Sequence, residues 1–302
     1  MACGYTIFVS KKEYFLNDSY PDSRTILDCV KWSARSGFDG IELGSRSFRH
    51  FVKTYSDDFA KEVRRATAEE SFEVSQLTCS FLVRSTIERS TKEAKEMLDL
   101  IFDKAAKMSC RVLSASSTEV PGALVVPNSV YPEAQGARIS LPGHFSWAEA
   151  WSRYTDAIGL IVEAAERYGL KFALEARPRE MISTTDGLLN LLQAVGSDSF
   201  GALVDTAHLF VEQEYIPLSL HKLGKKVFAA HLTDSDGVIE HHWVPGEGKI
   251  NWPEVLGAFE QIGYKNLLTI ELFPLLTDSD EEFLNGKSFL ESLSSKVRSS
   301  LK

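Results

Sequence analysis

Short runs of consecutive apolar residues alternate with longer stretches in which apolar positions recur every three or four residues, along the whole chain. A short run that is apolar at nearly every position suits a strand covered on both faces, and the longer period is that of a helix with one buried stripe. Strands are predicted at Tyr5 to Ser10, Gly40 to Gly44, Glu73 to Phe81, Arg111 to Ser117, Lys171 to Arg177, Gly201 to Asp205, Val227 to Leu232 and Leu267 to Leu272. Helices are predicted at Ser23 to Ser36, Asp57 to Glu70, Ser90 to Met108, Trp147 to Tyr168, Thr184 to Val195, Leu218 to Leu223, Trp252 to Ile262 and Glu281 to Ser299. Gly37, Gly169, Gly196, Gly224 and Gly263 stand just past helical patterns, where a left-handed stop residue belongs. Asn251-Trp252-Pro253 reads as a cap followed by proline in the first turn.

Eight strands, each followed by a helix, predict an α/β protein with a (β/α)8 TIM barrel, one domain over residues 1–302. An open doubly wound sheet calls for a G-x-G-x-x-G turn after the first strand, and Ser10-Lys11-Lys12 stands there instead. The segment from Thr118 to Phe145 breaks the regularity, with Pro121, Pro127, Pro132 and Pro142 and little helical pattern. In a barrel it hangs over the catalytic end, either as a lid or as an insertion that covers a helix.

The length of 302 residues suits one such barrel, and 44% hydrophobic residues are enough to fill its core. The net charge is −9, and Lys and Arg gather only in short pieces such as Arg64-Arg65 and Lys225-Lys226. Such a surface repels a phosphate backbone, so nucleic acid is not an expected partner. The cysteines, at 3, 29, 79 and 110, form no C-x-x-C, which argues against a local zinc knuckle or redox dithiol and for a reducing compartment. No stretch approaches the roughly 18 apolar residues of a membrane span, and the amino end carries no signal-like run. A soluble, cytoplasmic chain with no membrane partner is expected.

The last four predicted strands each finish on an ionisable residue directly after apolar ones: Glu175, Asp205, His231 and Glu271. A barrel brings these strand ends to one mouth. Three carboxylates and an imidazole gathered there repel one another or take up protons unless a cation sits among them. The set is mainly oxygen, which favours one divalent metal ion, Mn2+ or Mg2+, with Co2+ or Zn2+ also admissible. Taken singly, Asp205 could equally cap the following helix and His231 could be a satisfied core histidine.

These residues, together with Gly37-Phe38-Asp39-Gly40-Ile41-Glu42, Val204-Asp205-Thr206-Ala207-His208, and Pro245-Gly246-Glu247-Gly248 with Trp252, resemble the xylose isomerase-like barrel superfamily over nearly the whole chain. That superfamily holds sugar isomerases, ketose 3-epimerases, inosose and dehydroshikimate dehydratases, and endonuclease IV-type repair enzymes. The resemblance implies that Glu175, Asp205, His231 and Glu271 bind one metal, and that Glu175 and Glu271 also act as paired acid and base. It implies substrate contact for His208, which matches a zinc ligand in the nucleases. The nucleases' three-zinc cluster needs further histidines from the third and fourth strands, where Thr78, Cys79, Ser80 and Ser114 to Ser117 stand. Glu240 and His242 resemble a further zinc pair of the nucleases, and without those histidines substrate contact is the preferred reading for His242. Homo-oligomers are common in the superfamily.

Near the same mouth, Arg177, Arg179 and Glu180 follow the fifth strand and could orient a substrate or hold the loop. Arg46, Arg49 and His50 follow the second strand, from which Glu42 supports the mouth. Phe8, Trp243 and Phe273 could wall a sugar ring. No Gly-rich phosphate loop follows strands seven or eight, so a free sugar or cyclitol is the expected substrate. The expected reaction is metal-dependent isomerisation or epimerisation in carbohydrate metabolism, with dehydration second; phosphodiester hydrolysis and a binding module without catalysis are the competing readings.

Overall fold

The structure, a computed structural model, describes residues 2–6, 21–70, 72–126, 138–272 and 280–300. Eight parallel strands close into a barrel: β1 (Cys3–Thr6), β2 (Gly40–Ser45), β3 (Glu73–Cys79), β4 (Val112–Ser116), β7 (Lys171–Glu175), β8 (Phe200–Asp205), β9 (Val227–Leu232) and β10 (Leu268–Ile270). The order around the barrel is β1-β10-β9-β8-β7-β4-β3-β2, so β2 returns to β1. β2, β4 and β8 are buried at every position, including their polar residues Glu42, Ser45, Ser114, Ser116 and Asp205. β5 (Leu124–Val126) and β6 (Arg138–Ser140) form a separate antiparallel pair inside the segment expected to be irregular.

The outer ring is made of α1 (Ser23–Arg35), α3 (Asp57–Glu69), α5 (Thr91–Lys107), α6 (Trp147–Arg167), α7 (Thr185–Val195), α9 (Ile216–Leu223), α10 (Trp252–Gln261) and α11 (Asp280–Ser300). Three short helices lie between them: α2 (Phe48–Thr54), α4 (Leu82–Glu88) and α8 (Thr206–Val211). Side-chain oxygens cap several starts. Ser90 and Glu93 form a reciprocal box at α5, and Thr184 accepts from the Gly187 amide at α7. The stop glycines take positive φ as expected, Gly196 at φ 70° directly capping α7. Asn251 precedes α10 but its side chain makes no capping bond there; Pro253 supplies the fixed first turn.

The loop from β9 to α10 is tied down by one carboxylate. Asp234, fully buried, accepts from the amides of Ser235 (2.9 Å), Gly246 (2.8 Å) and Ile250 (3.2 Å) and from the Trp252 indole nitrogen (2.7 Å). Its backbone also pairs both ways with Trp243. Gly248 packs against this carboxylate, where an added Cβ would lie 2.2 Å from Asp234 Oδ1. Among the described residues no helix is long and apolar enough to cross a membrane.

The predicted first strand is described only to Thr6; Phe8, Phe273 and Ser10-Lys11-Lys12 lie outside the described residues, as do residues 127–137 of the expected lid.

Candidate metal and catalytic site

Register places the four strand-end residues together. Glu175 ends β7, Asp205 ends β8 beside His231 on β9, and Glu271 directly follows β10. One oxygen of each carboxylate and one nitrogen of His231 lie within 4.8 Å of one another. His231 Nδ1 is 3.1 Å from Glu175 Oε1, 3.0 Å from Glu271 Oε2 and 3.9 Å from Asp205 Oδ2. All four residues are buried.

The two carboxylate oxygens of Asp205 stand in different surroundings. Oδ1 accepts from the His208 amide at 2.8 Å and caps α8. Oδ2 is buried with no hydrogen-bond partner among the described residues, its neighbours being His242 Nε2 at 3.6 Å and His231 Nδ1 at 3.9 Å. That oxygen stands just beyond hydrogen-bond reach of both imidazoles, and the surrounding hard-oxygen and imidazole donors fit a divalent ion.

Burial opposes protonation of His231, but Glu271, Glu42 and Glu175 outweigh it and drive its pKa well above the ordinary histidine value. Burial likewise opposes ionisation of Glu271 and Glu175, yet His231 with His242 holds the first well below the usual carboxylate range, and His231 with His208 lowers the second. Ser116 Oγ donates to Glu175 Oε2 at 2.7 Å, orienting the carboxylate from β4.

A second group lies on the loop side. His208 Nε2 is 3.0 Å from Glu240 Oε2, a close charge contact without hydrogen-bond alignment. His242 Nε2 is 3.6 Å from Asp205 Oδ2 and 3.5 Å from Glu271 Oε2, and the His208 and His242 rings meet edge to face at 5.2 Å. Burial resists charging His242, but Asp205 and Glu271 push its pKa up to about 10. Burial raises Glu240 too, but His208, Arg177 and His242 prevail and bring it down to about 2. Asp205, His208 and His242 also offer donor atoms within 4.8 Å of one another. His242 therefore stands closer to the carboxylate cluster than a loop residue reading suggests.

The other predicted residues divide. Glu180 sits beside Arg177 (3.6 Å), its Oε2 buried without a hydrogen-bond partner among the described residues. Burial raises its pKa to about 7 against the opposing pull of Arg177. Arg179 is exposed in the same turn at φ 66°, near Glu212. Trp243 is partly exposed at the mouth with the His241 ring stacked on it at 4.0 Å. His50 is a tether, its ring nitrogens meeting Ser45 Oγ (2.9 Å) and the Pro21 carbonyl (3.0 Å). Reasoning from residue type alone assigns no role to Ser116, Gln76, Thr78 and Ser114; Ser116 contacts Glu175, Gln76 contacts His231, and Thr78 contacts both Glu42 and Ser114.

A closed eight-stranded parallel barrel thus carries acidic and imidazole side chains at the ends of four strands, gathered at one mouth. The family model described as xylose isomerase-like TIM barrel matches residues 30–293, and the chain belongs to that family. It is 27% identical over 188 residues to fructoselysine 3-epimerase of Escherichia coli O157:H7, a match spanning 61% of each chain. It is 24% identical over 294 residues to a probable ketose 3-epimerase of Synechocystis, covering 94% of this chain and 87% of that protein. Among solved structures, a D-tagatose 3-epimerase-like protein superposes with a TM-score of 0.74 at 20% identity over 100% of both chains. A zinc-bound protein titled IOLI superposes with a TM-score of 0.69 at 19% identity, over 98% of this chain and 99% of its own.

Proposed function

We propose that this chain is a divalent-metal-dependent epimerase or isomerase of a ketose or related polyol ketone, with Glu175 and Glu271 as its acid and base. The observation that carries the reading is the convergence of Glu175 Oε1 and Glu271 Oε2 on one nitrogen, His231 Nδ1, at 3.1 and 3.0 Å, beside an Asp205 oxygen without a hydrogen-bond partner among the described residues. The 3-epimerase relatives support the substrate class.

Glu175, Asp205, His231 and Glu271 would hold the ion. When bound, a divalent ion supplies Lewis acidity that stabilises negative charge on a ketone oxygen. The protein's own groups then move the protons. One of Glu175 and Glu271 takes a proton from the carbon next to the carbonyl, giving an enediolate, and the other returns a proton to the opposite face, inverting that centre. Ser116 keeps Glu175 aimed through its Oε2 while Oε1 faces the cluster. His208, His242 and Glu180 surround this space with polar groups suited to sugar hydroxyls, and Trp243 offers an apolar face.

The test is a screen of ketoses and keto-cyclitols in deuterated water with metal content measured per chain. About one ion per chain and deuterium at the carbon next to the carbonyl are expected. Glu175→Gln and Glu271→Gln should each lower turnover by roughly 10²–10⁴-fold with the fold intact. Variants that keep most of the wild-type rate would remove these two residues from catalysis. Turnover without exchange would indicate a hydride shift, release of water a dehydratase, three ions a nuclease, and no ion a binding module.

A further inference from the structure

The interior of a (β/α)8 barrel is ordinarily filled by layers of branched apolar side chains. Directly beneath the candidate ion site this one carries a chain of polar contacts instead. Ser114 Oγ on β4 lies 2.6 Å from Thr78 Oγ1 on β3, and Thr78 Oγ1 donates to Glu42 Oε1 on β2 at 2.5 Å. Glu42 Oε2 then lies 2.7 Å from His231 Nε2 on β9. Glu42 has no solvent exposure, so its carboxylate depends on these partners.

With a cation taking the Nδ1 side, the contacts at Nε2 select one arrangement of the imidazole. With Glu42 as acceptor, His231 Nε2 carries a hydrogen and donates to it. Gln76, whose amide stands 3.0 Å from the same nitrogen, then presents its oxygen to that hydrogen after a half-turn of the amide. A neutral ring with its hydrogen on Nε2 has its lone pair on Nδ1, the atom that faces Glu175, Asp205 and Glu271. A histidine whose far nitrogen is anchored to a carboxylate is fixed in rotation and tautomer and made a stronger donor to a metal.

We propose that Glu42, braced by Thr78, is a positioning residue that locks His231 with its Nδ1 lone pair turned toward the ion site. The inference rests on the single-ion reading given above. Thr78 holds Glu42 at its other oxygen, so the carboxylate cannot swing away from the ring. Ser114 extends the brace to a third strand, which ties the orientation of one ligand to the closure of the barrel.

The test measures metal affinity and ring state directly. Metal-stripped wild type, E42Q, E42L and T78V are titrated with Mn2+ by calorimetry. The Zn2+-loaded proteins are then examined by ¹H–¹⁵N NMR of ¹⁵N-histidine for the His231 Nε2–H. E42Q retains an acceptor oxygen but loses the charge, and is expected to weaken Mn2+ binding roughly tenfold; E42L removes both and should weaken it roughly a hundredfold. T78V, which leaves the carboxylate in place but unbraced, is expected to fall between wild type and E42L. The slowly exchanging Nε2–H signal should be present in wild type, broadened in E42Q and lost in E42L. If E42L does not fold, E42Q and T78V still carry the test. Unchanged affinity and an unchanged Nε2–H in both E42Q and T78V would overturn the positioning role. Failure of wild type itself to bind a divalent ion would sink the single-ion reading instead.

Discussion

Asp234→Asn tests how the mouth is built, because one side chain fastens the loop that brings Glu240, His242 and Trp243 to the site. The carboxylate accepts four hydrogen bonds, two at each oxygen, from Ser235 and Ile250 on one side and from Gly246 and Trp252 on the other. Asn has the same shape but only one acceptor atom. Whichever way the amide turns, its NH2 faces two buried donors and strands both. A stranded buried donor costs ~1–3 kcal/mol, so the substitution is expected to remove about 4 kcal/mol of stability. For a chain of this size that is on the order of a 10 °C fall in Tm. Trp252→Phe deletes one of those donors, and in the double variant the Asn NH2 no longer faces the indole. The two losses should therefore fall short of additivity by ~1–2 kcal/mol. Denaturant unfolding of the two single variants and the double supplies the cycle, and activity is read well below the Tm. Activity should drop in Asp234→Asn even where it is fully folded, since the loop is loosened while the four strand-end residues are untouched. A stability within about 1 kcal/mol of wild type and full additivity with Trp252→Phe would refute the clamp.

Two further outcomes follow from the site. Stripping divalent ions with a chelator should lower Tm, and restoring Mn2+ should raise it with the logarithm of free ion; at a hundredfold excess over Kd the gain is ~2.7 kcal/mol, and a Tm indifferent to the ion would contradict a specific site. In the metal-free protein, burial holds Glu180 up at about 7 in the folded state against an ordinary glutamate value when unfolded. The folded state then binds the proton more tightly, so this group's contribution is complete below the unfolded value and is lost as pH rises through about 7. With its side chain 19% exposed, the loss is ~2 kcal/mol, and Glu180→Gln should flatten that slope; identical slopes would refute it.

Much of this was legible because an ionisable residue directly after an apolar run marks the end of a parallel strand covered on both faces. Glu175, Asp205 and Glu271 stood out for that reason, and so did His231. The short helices α2, α4 and α8 did not, because one or two turns hold too few residues for a helical period to emerge from neighbouring strand signals. The three-residue strands β5 and β6 were hidden for the same reason. Thr78, Ser114 and Ser116 are small hydroxyl residues that pass for filler in a buried strand, and only the register shows that they brace Glu42 and Glu175. A polar residue after a strand can meet substrate or lie on a loop face, and sequence leaves the two open for His50; its partners are Ser45 and a carbonyl 29 positions earlier in the chain.

The division between strand and loop also explains why the substrate is the least legible part. The candidate ion donors sit on β7, β8 and β9 and directly after β10, where barrel closure sets their spacing. Glu180, His242 and Trp243 sit on loops, and His242 reaches the cluster only through a left-handed backbone at φ 53° and a loop hung on Asp234. Such a conformation is uncommon for a residue with a side chain, so the surrounding loop must hold it in place. Changing that loop can therefore re-aim His242 and Trp243 without disturbing Glu175, Asp205, His231 or Glu271. The candidate ion donors lie at strand ends, where position follows from the fold. The candidate recognition residues lie on loops whose shape depends on contacts such as that between Asp234 and Trp252, 18 residues apart.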